Sequence, residues 1–352
     1  MSQSQDPVQS ISQFPTQFPK GSKIVVAGAG SIGCFVGGLL AAQGHKVCLW
    51  GRARIIDAIQ EKGLQLSDGD GLDIKLAAEQ LELSTDASCL AEADIILLAA
   101  KSLVTEEIAK DISRHAPKQA VVLSLQNGIR NPAILREQLE QAVLATMIPF
   151  NVVHSEGNRF HRATFTAELM MEWQPALAEF LSGEYINFKP LEQFNEIAWG
   201  KLLLNINNAV NALGGLPLKQ QLMNRQWRCL MADVVSESLA VLSAAGIEHI
   251  SVAPVNMRVF CWILRLPTFM FSRIANSMLK VDPQARASMY EDLEQKRLTE
   301  IDEFQGVIIE LSKQHRCSSS LNQRIYQLIK DAELQATGSP ALSVADIRSL
   351  SS

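Results

Sequence analysis

Residues 23–33 read KIVVAGAGSIG, and this stretch decides the fold. A short β-forming run, Ile24-Val25-Val26, ends in three glycines, Gly28, Gly30 and Gly33. An apolar helix follows at once through Cys34, Phe35, Val36, Leu39 and Leu40. Strand, glycine turn and helix in that order are the context in which Gly-x-Gly-x-x-Gly signifies dinucleotide binding. Gly28 permits the tight turn, Gly30 lets the backbone approach a pyrophosphate, and Gly33 lets helix and strand pack closely. The helix start, with Ala29, Ser31 and Ile32 completing the loop, offers unpaired N–H groups and a positive dipole end to phosphates. A glycine-rich surface turn is the alternative, and the flanking strand and helix argue against it.

The second half of the unit refines the nucleotide. Gly44-His45 leads into a second strand, 46–50, whose end reads Trp50-Gly51-Arg52-Ala53-Arg54. An NAD-binding unit usually places a carboxylate there for the ribose hydroxyls. A carboxylate would repel a 2′-phosphate, whereas a guanidinium grips it with two parallel charge-assisted bonds. The cofactor expected is therefore NADPH rather than NADH, held by Arg52 first and Arg54 second. Two solvated loop arginines are the competing reading.

Composition bounds the rest. The 352 residues suffice for two ordinary domains, and 47% hydrophobic with 20% charged residues is a globular balance. A net charge of −5 argues against nucleic acid as a partner. Cysteines at 34, 48, 89, 229, 261 and 317 form no C-x-x-C pair and no metal spacing, so free thiols in a reducing cytoplasm and no metal are expected. Residues 1–20, rich in Gln, Ser and Pro, read as a disordered tail rather than a signal peptide. The apolar run 259–271 is interrupted by Arg265 and Pro267 and is too short to span a bilayer, so no membrane partner is expected. It reads as a buried helix pair or an interface segment.

From residue 21 to about 190, strands at 23–27, 46–50, 95–99, 121–125 and 142–147 alternate with helices at 55–62, 106–114 and 132–139. Near-continuous apolar strands between helices imply a parallel sheet covered on both faces. Residues 163–167 and 185–188 add strand-like runs around a helix at 175–181. From 191 to 352 helical periods dominate, at 194–213, 224–244, 285–311 and 321–333. The class is α/β: an N-terminal Rossmann-type parallel-sheet domain, 21–190, followed by an all-α C-terminal domain, 191–352.

Several residues carry potential chemistry. Lys201, Asn205 and Asn208 recur at i, i+4 and i+7 and share a helix face amid apolar neighbours. An amide-rich stripe led by one lysine suits a polar cleft, and lysine is the side chain whose pKa falls readily on burial. A solvated lysine with capping asparagines is the plain alternative. The segment Ser288-Met289-Tyr290-Glu291-Asp292, continuing to Thr299-Glu300-Ile301-Asp302, reads as an acidic long helix, usually a solvated face. A carboxylate from it beside Lys201 would hold the ammonium form. Lys101-Ser102 and Gln126-Asn127-Gly128 each follow a central strand, where ligands of open parallel sheets bind.

With those motifs in this order, the chain resembles the ketopantoate reductase (2-dehydropantoate 2-reductase) family from about residue 23 to 311. The resemblance implies a Rossmann domain joined to a helical one, NADPH as hydride donor and a small 2-oxo acid as substrate. It implies Lys201 as general acid assisted by Glu300. Asn127, Asn205 and Ser288 would touch substrate, and Lys101 and Asn127 would lie near the nicotinamide. The family commonly follows its lysine helix with Asn-Pro. Here Ala209-Val210-Asn211 stands there, and Asn208 is taken as the second substrate asparagine. The segment 253–280 is longer than the family pattern. A second copy of the chain, as a homodimer, completes the expected partners. The rival functions are a related dehydrogenase of another 2-oxo or β-hydroxy acid and a non-catalytic NADPH sensor.

Overall fold

The computed structural model describes residues 14–15, 17–162, 168–252, 255–275 and 284–349. The expected strand at 163–167, most of the 1–20 tail and parts of the 253–280 segment lie outside them. The chain forms two compact units, Met1–Phe194 and Asn195–Ser352.

The strands of the first unit are β1 (Lys23–Ala27), β2 (Lys46–Trp50), β3 (Leu64–Asp68), β4 (Asp73–Leu76), β5 (Glu82–Ser84) and β6 (Ile95–Leu98). They continue with β7 (Val121–Ser124), β8 (Ala142–Met147), β9 (Val152–Ser155), β10 (Arg159–Arg162), β11 (Glu168–Glu172) and β12 (Asn187–Leu191). The main sheet runs β12-β11-β8-β7-β6-β1-β2-β5. From β5 to β8 every neighbouring pair is parallel. This is the doubly wound order in which the chain leaves the central strand in opposite directions, opening a crevice beyond the carboxyl ends. β11 joins antiparallel to β8, and β12, parallel to β11, forms the far edge. The helices are α1 (Ser31–Ala42), α2 (Ala53–Lys62), α3 (Thr105–His115), α4 (Asn131–Gln138) and α5 (Pro175–Leu181).

A second sheet, β4-β3-β10-β9, was not anticipated. It packs on α1, whose opposite side packs on β1 and β2. Gly37 faces Val26 and Leu49, and Gly38 faces Leu64 and Leu66; a Cβ at either would lie 2.6–2.8 Å from a side-chain carbon. A methyl group gains only about 0.8 kcal/mol by burial, so contacts that short outweigh it. The sheet's interior holds an ion pair between Asp68 and Arg162. Burial pushes the Asp68 carboxyl up, but the N–H groups of Leu72 and Asp70 and the Arg162 guanidinium overcome this and hold it below the ordinary carboxylate range. The last expected strand, 185–188, lies instead at 187–191, because residues 182–186 form a turn in which Gln43 accepts the N–H groups of Tyr185 and Ile186.

The second unit contains α6 (Phe194–Asn205), α7 (Asn207–Gly214), α8 (Leu218–Met223), α9 (Arg225–Ala245), α10 (Met257–Arg265) and α11 (Thr268–Ile274), followed by α12 (Ser288–Glu294), α13 (Gln305–Gln314), α14 (Ser320–Gln335) and α15 (Val344–Arg348). On α9 the fully buried Arg228 donates to the carbonyls of Leu222, Leu264 and Leu266 at 2.7–3.0 Å and stacks on Phe271. One guanidinium thus ties α10 and α11 to α9 by satisfying carbonyls that a helix end leaves open. The carboxylate of Glu237 accepts the N–H groups of Leu321 and Asn322 and neutralises the start of α14.

Two expected helices are interrupted. The 194–213 helix breaks at Ile206, whose carbonyl accepts 2.7 Å from the buried Gln305 amide. The 285–311 helix stops after Glu294. Lys296 turns left-handed (φ 53°), its N–H reaches the Leu293 carbonyl, and the Arg297 N–H reaches that of Asp292. These two bonds are the Schellman termination. Ser288 and Glu300 therefore sit on different elements, and the expectation of one long acidic helix is corrected.

Candidate active site

The glycine turn has the geometry a pyrophosphate requires. Gly28 (φ 106°) and Ala29 both donate to the Trp50 carbonyl, at 3.0 and 2.9 Å. A Cβ on Gly28 would lie 2.6 Å from the Ala100 nitrogen, so the loops after β1 and β6 touch. A Cβ on Gly33 would lie 2.2 Å from the Gly28 carbonyl oxygen, which locks α1 against the turn. Gly30, at the N-cap, differs: a Cβ there meets nothing within 4 Å. The first helical bond is Cys34 N–H to the Gly30 carbonyl, so the N–H groups of Ser31, Ile32 and Gly33 precede the intrahelical ladder. No acidic residue lies in that first turn. Open space, oriented donors and absent negative charge fit a dinucleotide phosphate bridge.

Gly51 packs under Ala29, and its N–H donates to the Ser84 carbonyl at 3.0 Å. Arg52 is then the N-cap of α2, and both Arg52 and Arg54 are exposed. Among the described residues neither is paired with a carboxylate.

A buried polar chain joins the loops after β6 and β7. Ser124 donates to the Gln126 carbonyl oxygen at 3.2 Å. The Gln126 amide donates to the Thr105 hydroxyl at 2.7 Å and the Ala100 carbonyl at 3.1 Å. Thr105 donates to Asn131, whose amide donates to the Ser102 hydroxyl and the Asn127 carbonyl, both at 2.8 Å. Every amide hydrogen of Gln126 and Asn131 is used. Such a saturated network fixes the loops carrying Lys101 and Asn127. Sequence reading missed Thr105, Ser124 and Asn131. Their only signal is polarity at positions that strand and helix patterns would bury.

Lys201 and Asn205 share one face of α6, and Asn208 follows on α7 beyond the break at Ile206. All three are half-buried. Gly200 is required here: a Cβ would lie 1.8 Å from the Ile250 carbonyl oxygen, and the Ile250 N–H donates to the Glu196 carbonyl. The 250–251 backbone therefore lies against the turn carrying Lys201. Desolvation pushes the Lys201 ammonium down to about 8, against the raising field of Glu300. Glu300 heads a short 3₁₀ turn, Ile301–Glu303. The preceding Thr299 donates through both N–H and hydroxyl to Glu333, at 2.8 and 2.6 Å. Asp302, two residues on, accepts from Tyr326 and Lys330. The second unit thus brings Lys201 and Glu300 together. Ser288 is the exposed first residue of α12, and the Ala287 N–H before it is held by Asn211 at 2.9 Å. Asn211 is fully buried and also donates to Leu216 and Gln221, so it positions the α12 start and is itself enclosed.

Two family models cover this chain, ketopantoate reductase PanE/ApbA at residues 24–172 and its C-terminal counterpart at 193–333. The chain belongs to the ketopantoate reductase family. It is 28% identical to a 2-dehydropantoate 2-reductase of Pyrococcus abyssi, across 88% of this chain and 98% of the relative. A PanE/ApbA family ketopantoate reductase from Ralstonia eutropha JMP134 superposes with a TM-score of 0.78 at 27% identity, covering 89% of this chain and 99% of that one. D-mandelate dehydrogenase, solved with NADH and anilino(oxo)acetate, has the same fold (TM-score 0.73, 22% identity, 89% and 99% covered). Family membership makes the chain an oxidoreductase of the ketopantoate reductase type. Among the described residues no helix is long and apolar enough to cross a membrane, and no group of His, Cys, Asp and Glu gathers as metal ligands.

The glycine geometry separates packing from binding. Gly33→Ala is expected to destabilise the protein by about 1–3 kcal/mol through overpacking. Gly30→Ala is expected to leave stability within about 0.5 kcal/mol and to weaken nucleotide binding at least ~10-fold. Calorimetry and nucleotide titration of both variants check this; undisturbed nucleotide binding in Gly30→Ala would contradict it.

Proposed function

We propose that the chain catalyses the NADPH-dependent reduction of 2-dehydropantoate (ketopantoate) to pantoate, with Lys201 as general acid. The observation that carries this reading is the match of both ketopantoate reductase family models, over residues 24–172 and 193–333, to a chain whose half-buried Lys201 lies in the field of Glu300 and is lowered by desolvation to about 8. An acid works best when its pKa lies near the operating pH. In this reading Gly28, Ala29, Gly30, Ser31, Ile32 and Gly33 hold the pyrophosphate, Arg52 and Arg54 the 2′-phosphate, and Lys101 and Asn127 flank the nicotinamide. NADPH, when bound, supplies the hydride. Lys201 hydrogen-bonds the keto oxygen, stabilises its developing negative charge and delivers the proton from Nζ. Glu300 favours the ammonium form and receives the substrate hydroxyl. Asn205, Asn208 and Ser288 orient the acid.

A second reading, a dehydrogenase of another 2-oxo or β-hydroxy acid, is favoured by the enclosed position of Asn211, the asparagine on the helix stretch where the family has Asn-Pro. A cytoplasmic location and a homodimer belong to the main reading. Trp262, Phe269 and Ile274, more than half exposed on α10 and α11, offer a second copy an apolar face, and sedimentation velocity would measure it.

NADPH oxidation with ketopantoate and a panel of aliphatic and aryl 2-oxo acids tests the substrate, and ketopantoate is expected to give the highest kcat/KM. Lys201→Met is expected to lose roughly 10²–10⁴-fold in kcat while still binding NADPH. Wild-type kcat/KM is expected to fall as pH rises through about 8, where the free enzyme loses the ammonium. Full turnover by Lys201→Met would exclude the acid role. Arg52→Ser is expected to raise the KM for NADPH by about 10–100-fold, the worth of a charge-assisted bond, and to leave that for NADH unchanged; equal losses with both nucleotides would place Arg52 elsewhere.

A further inference from the structure

Three loops at the carboxyl ends of β1, β6 and β7 are joined through one buried hydroxyl. The strand ladder holds the chain as far as Ala99, whose N–H donates to the Ala27 carbonyl at 2.9 Å, and Leu125, whose N–H donates to that of Leu98 at 2.8 Å. Lys101 and Asn127 lie just past those points, where buried side chains take over. The Gln126 amide donates to the Ala100 carbonyl at 3.1 Å and to the Thr105 hydroxyl at 2.7 Å. Thr105 donates to Asn131 at 2.9 Å, and the Asn131 amide donates to the Asn127 carbonyl at 2.8 Å. Ala100 is also the residue against which Gly28 packs. One path thus runs from the glycine turn through Ala100, Gln126, Thr105 and Asn131 to Asn127.

Thr105 is placed unusually for a threonine at a helix start. Such a residue ordinarily sits at the N-cap and bonds the N–H groups of its own helix. Here the N-cap is Val104, without a side-chain cap, and Thr105 is the first residue of α3. Its hydroxyl, 1% exposed, accepts from a residue 21 positions away and donates to one 26 positions away. A hydroxyl can do both through a single oxygen. Valine has the same shape and neither capacity. In a buried network whose members satisfy one another, removing the shared member loosens its neighbours as well.

We propose that Thr105 is a positioning residue for hydride transfer: its hydroxyl fixes the separation between the turn that receives the pyrophosphate and the residues that flank the nicotinamide. The proposal rests on the reading of Lys101 and Asn127 given above. Thr105 itself is enclosed and acts through Gln126 and Asn131, whose partners are the backbone beside Lys101 and the backbone of Asn127.

A dinucleotide is one ligand gripped at two places. The second grip adds to the first only where the protein already holds the two sites at the ligand's own spacing. Cutting the path leaves each site with its groups but frees their spacing, so the loss falls on the intact dinucleotide rather than on its phosphate half. It falls also on the placement of the nicotinamide, where a misplacement of about 1 Å costs roughly 10²-fold in rate.

The test titrates the full chain with NADPH and with 2′-phospho-ADP-ribose, which carries the phosphates and lacks the nicotinamide, and measures kcat with NADPH and its 4-deuterated form. Thr105→Val is expected to weaken NADPH binding about 10-fold and that of the fragment less than about 2-fold. It is expected to lower kcat roughly 10–100-fold and to raise the isotope effect on kcat, as hydride transfer becomes slower than product release. Thr105→Ser keeps the hydroxyl and is expected to restore all three. Asn131→Ala cuts the path at its far end and is expected to repeat the Thr105→Val pattern, which keeps the test open should that variant not fold. Val122→Ala, in the buried core of β7, is expected to lower the melting temperature and leave the ratio of the two affinities unchanged. Wild-type kcat and affinity ratio in Thr105→Val overturn the proposal. So do equal losses for NADPH and the fragment, or a failure of Thr105→Ser to restore them. A wild type that reduces none of the 2-oxo acids would count against the proposed function and leave the affinity comparison standing.

Discussion

The half-buried Lys201 amine, pulled down by desolvation and pushed up by the Glu300 carboxylate, is the interaction on which the chemistry of the helical unit depends. Bringing Lys201 from an ordinary lysine value to about 8 represents a cost on the order of a few kcal/mol. Gly200 lets the Ile250 backbone lie against the lysine's own helical turn. Glu300 returns part of the cost by favouring the charged form, and it sits on a turn pinned at Thr299 and Asp302 to α14. Burial and counter-charge acting in opposition leave an amine able to carry a proton and to release it.

The first unit solves a different problem, that of bringing backbone close to backbone. Gly28 approaches Ala100, Gly33 approaches Gly28, and Gly51 approaches Ala29. Each contact removes a side chain where two loops must meet, and together they line up the carboxyl ends of β1, β2 and β6. Of the four glycines in these loops, Gly30 alone faces open space. Three glycines are there for packing, and one for access.

Much of this was legible because it is local. The 23–33 stretch carries its own strand, turn and helix signals, and β6, β7 and β8 are apolar runs too continuous for anything but a covered parallel sheet. The small sheet escaped because its strands are short and half-polar. Yet Leu64 and Leu66 alternate with Gln65 and Ser67, and Asp68-Gly69-Asp70-Gly71 is a hairpin signal between them. The two broken helices could not be read from periodicity. One break depends on Gln305, far along the chain, reaching the Ile206 carbonyl, and the other on Lys296 adopting a left-handed conformation that glycine more often takes. The pairing of Lys201 with Glu300 is likewise non-local, and only the family resemblance pointed to it.

The central claim concerns the protonation of one amine, and isotope-edited NMR of the lysine side chains, titrated against pH and assigned with Lys201→Met, measures it directly. The account predicts a midpoint for Lys201 near 8 that falls further in Glu300→Gln, since the carboxylate raises it. A midpoint at the ordinary value of about 10.4, indifferent to the charge at position 300, would contradict it.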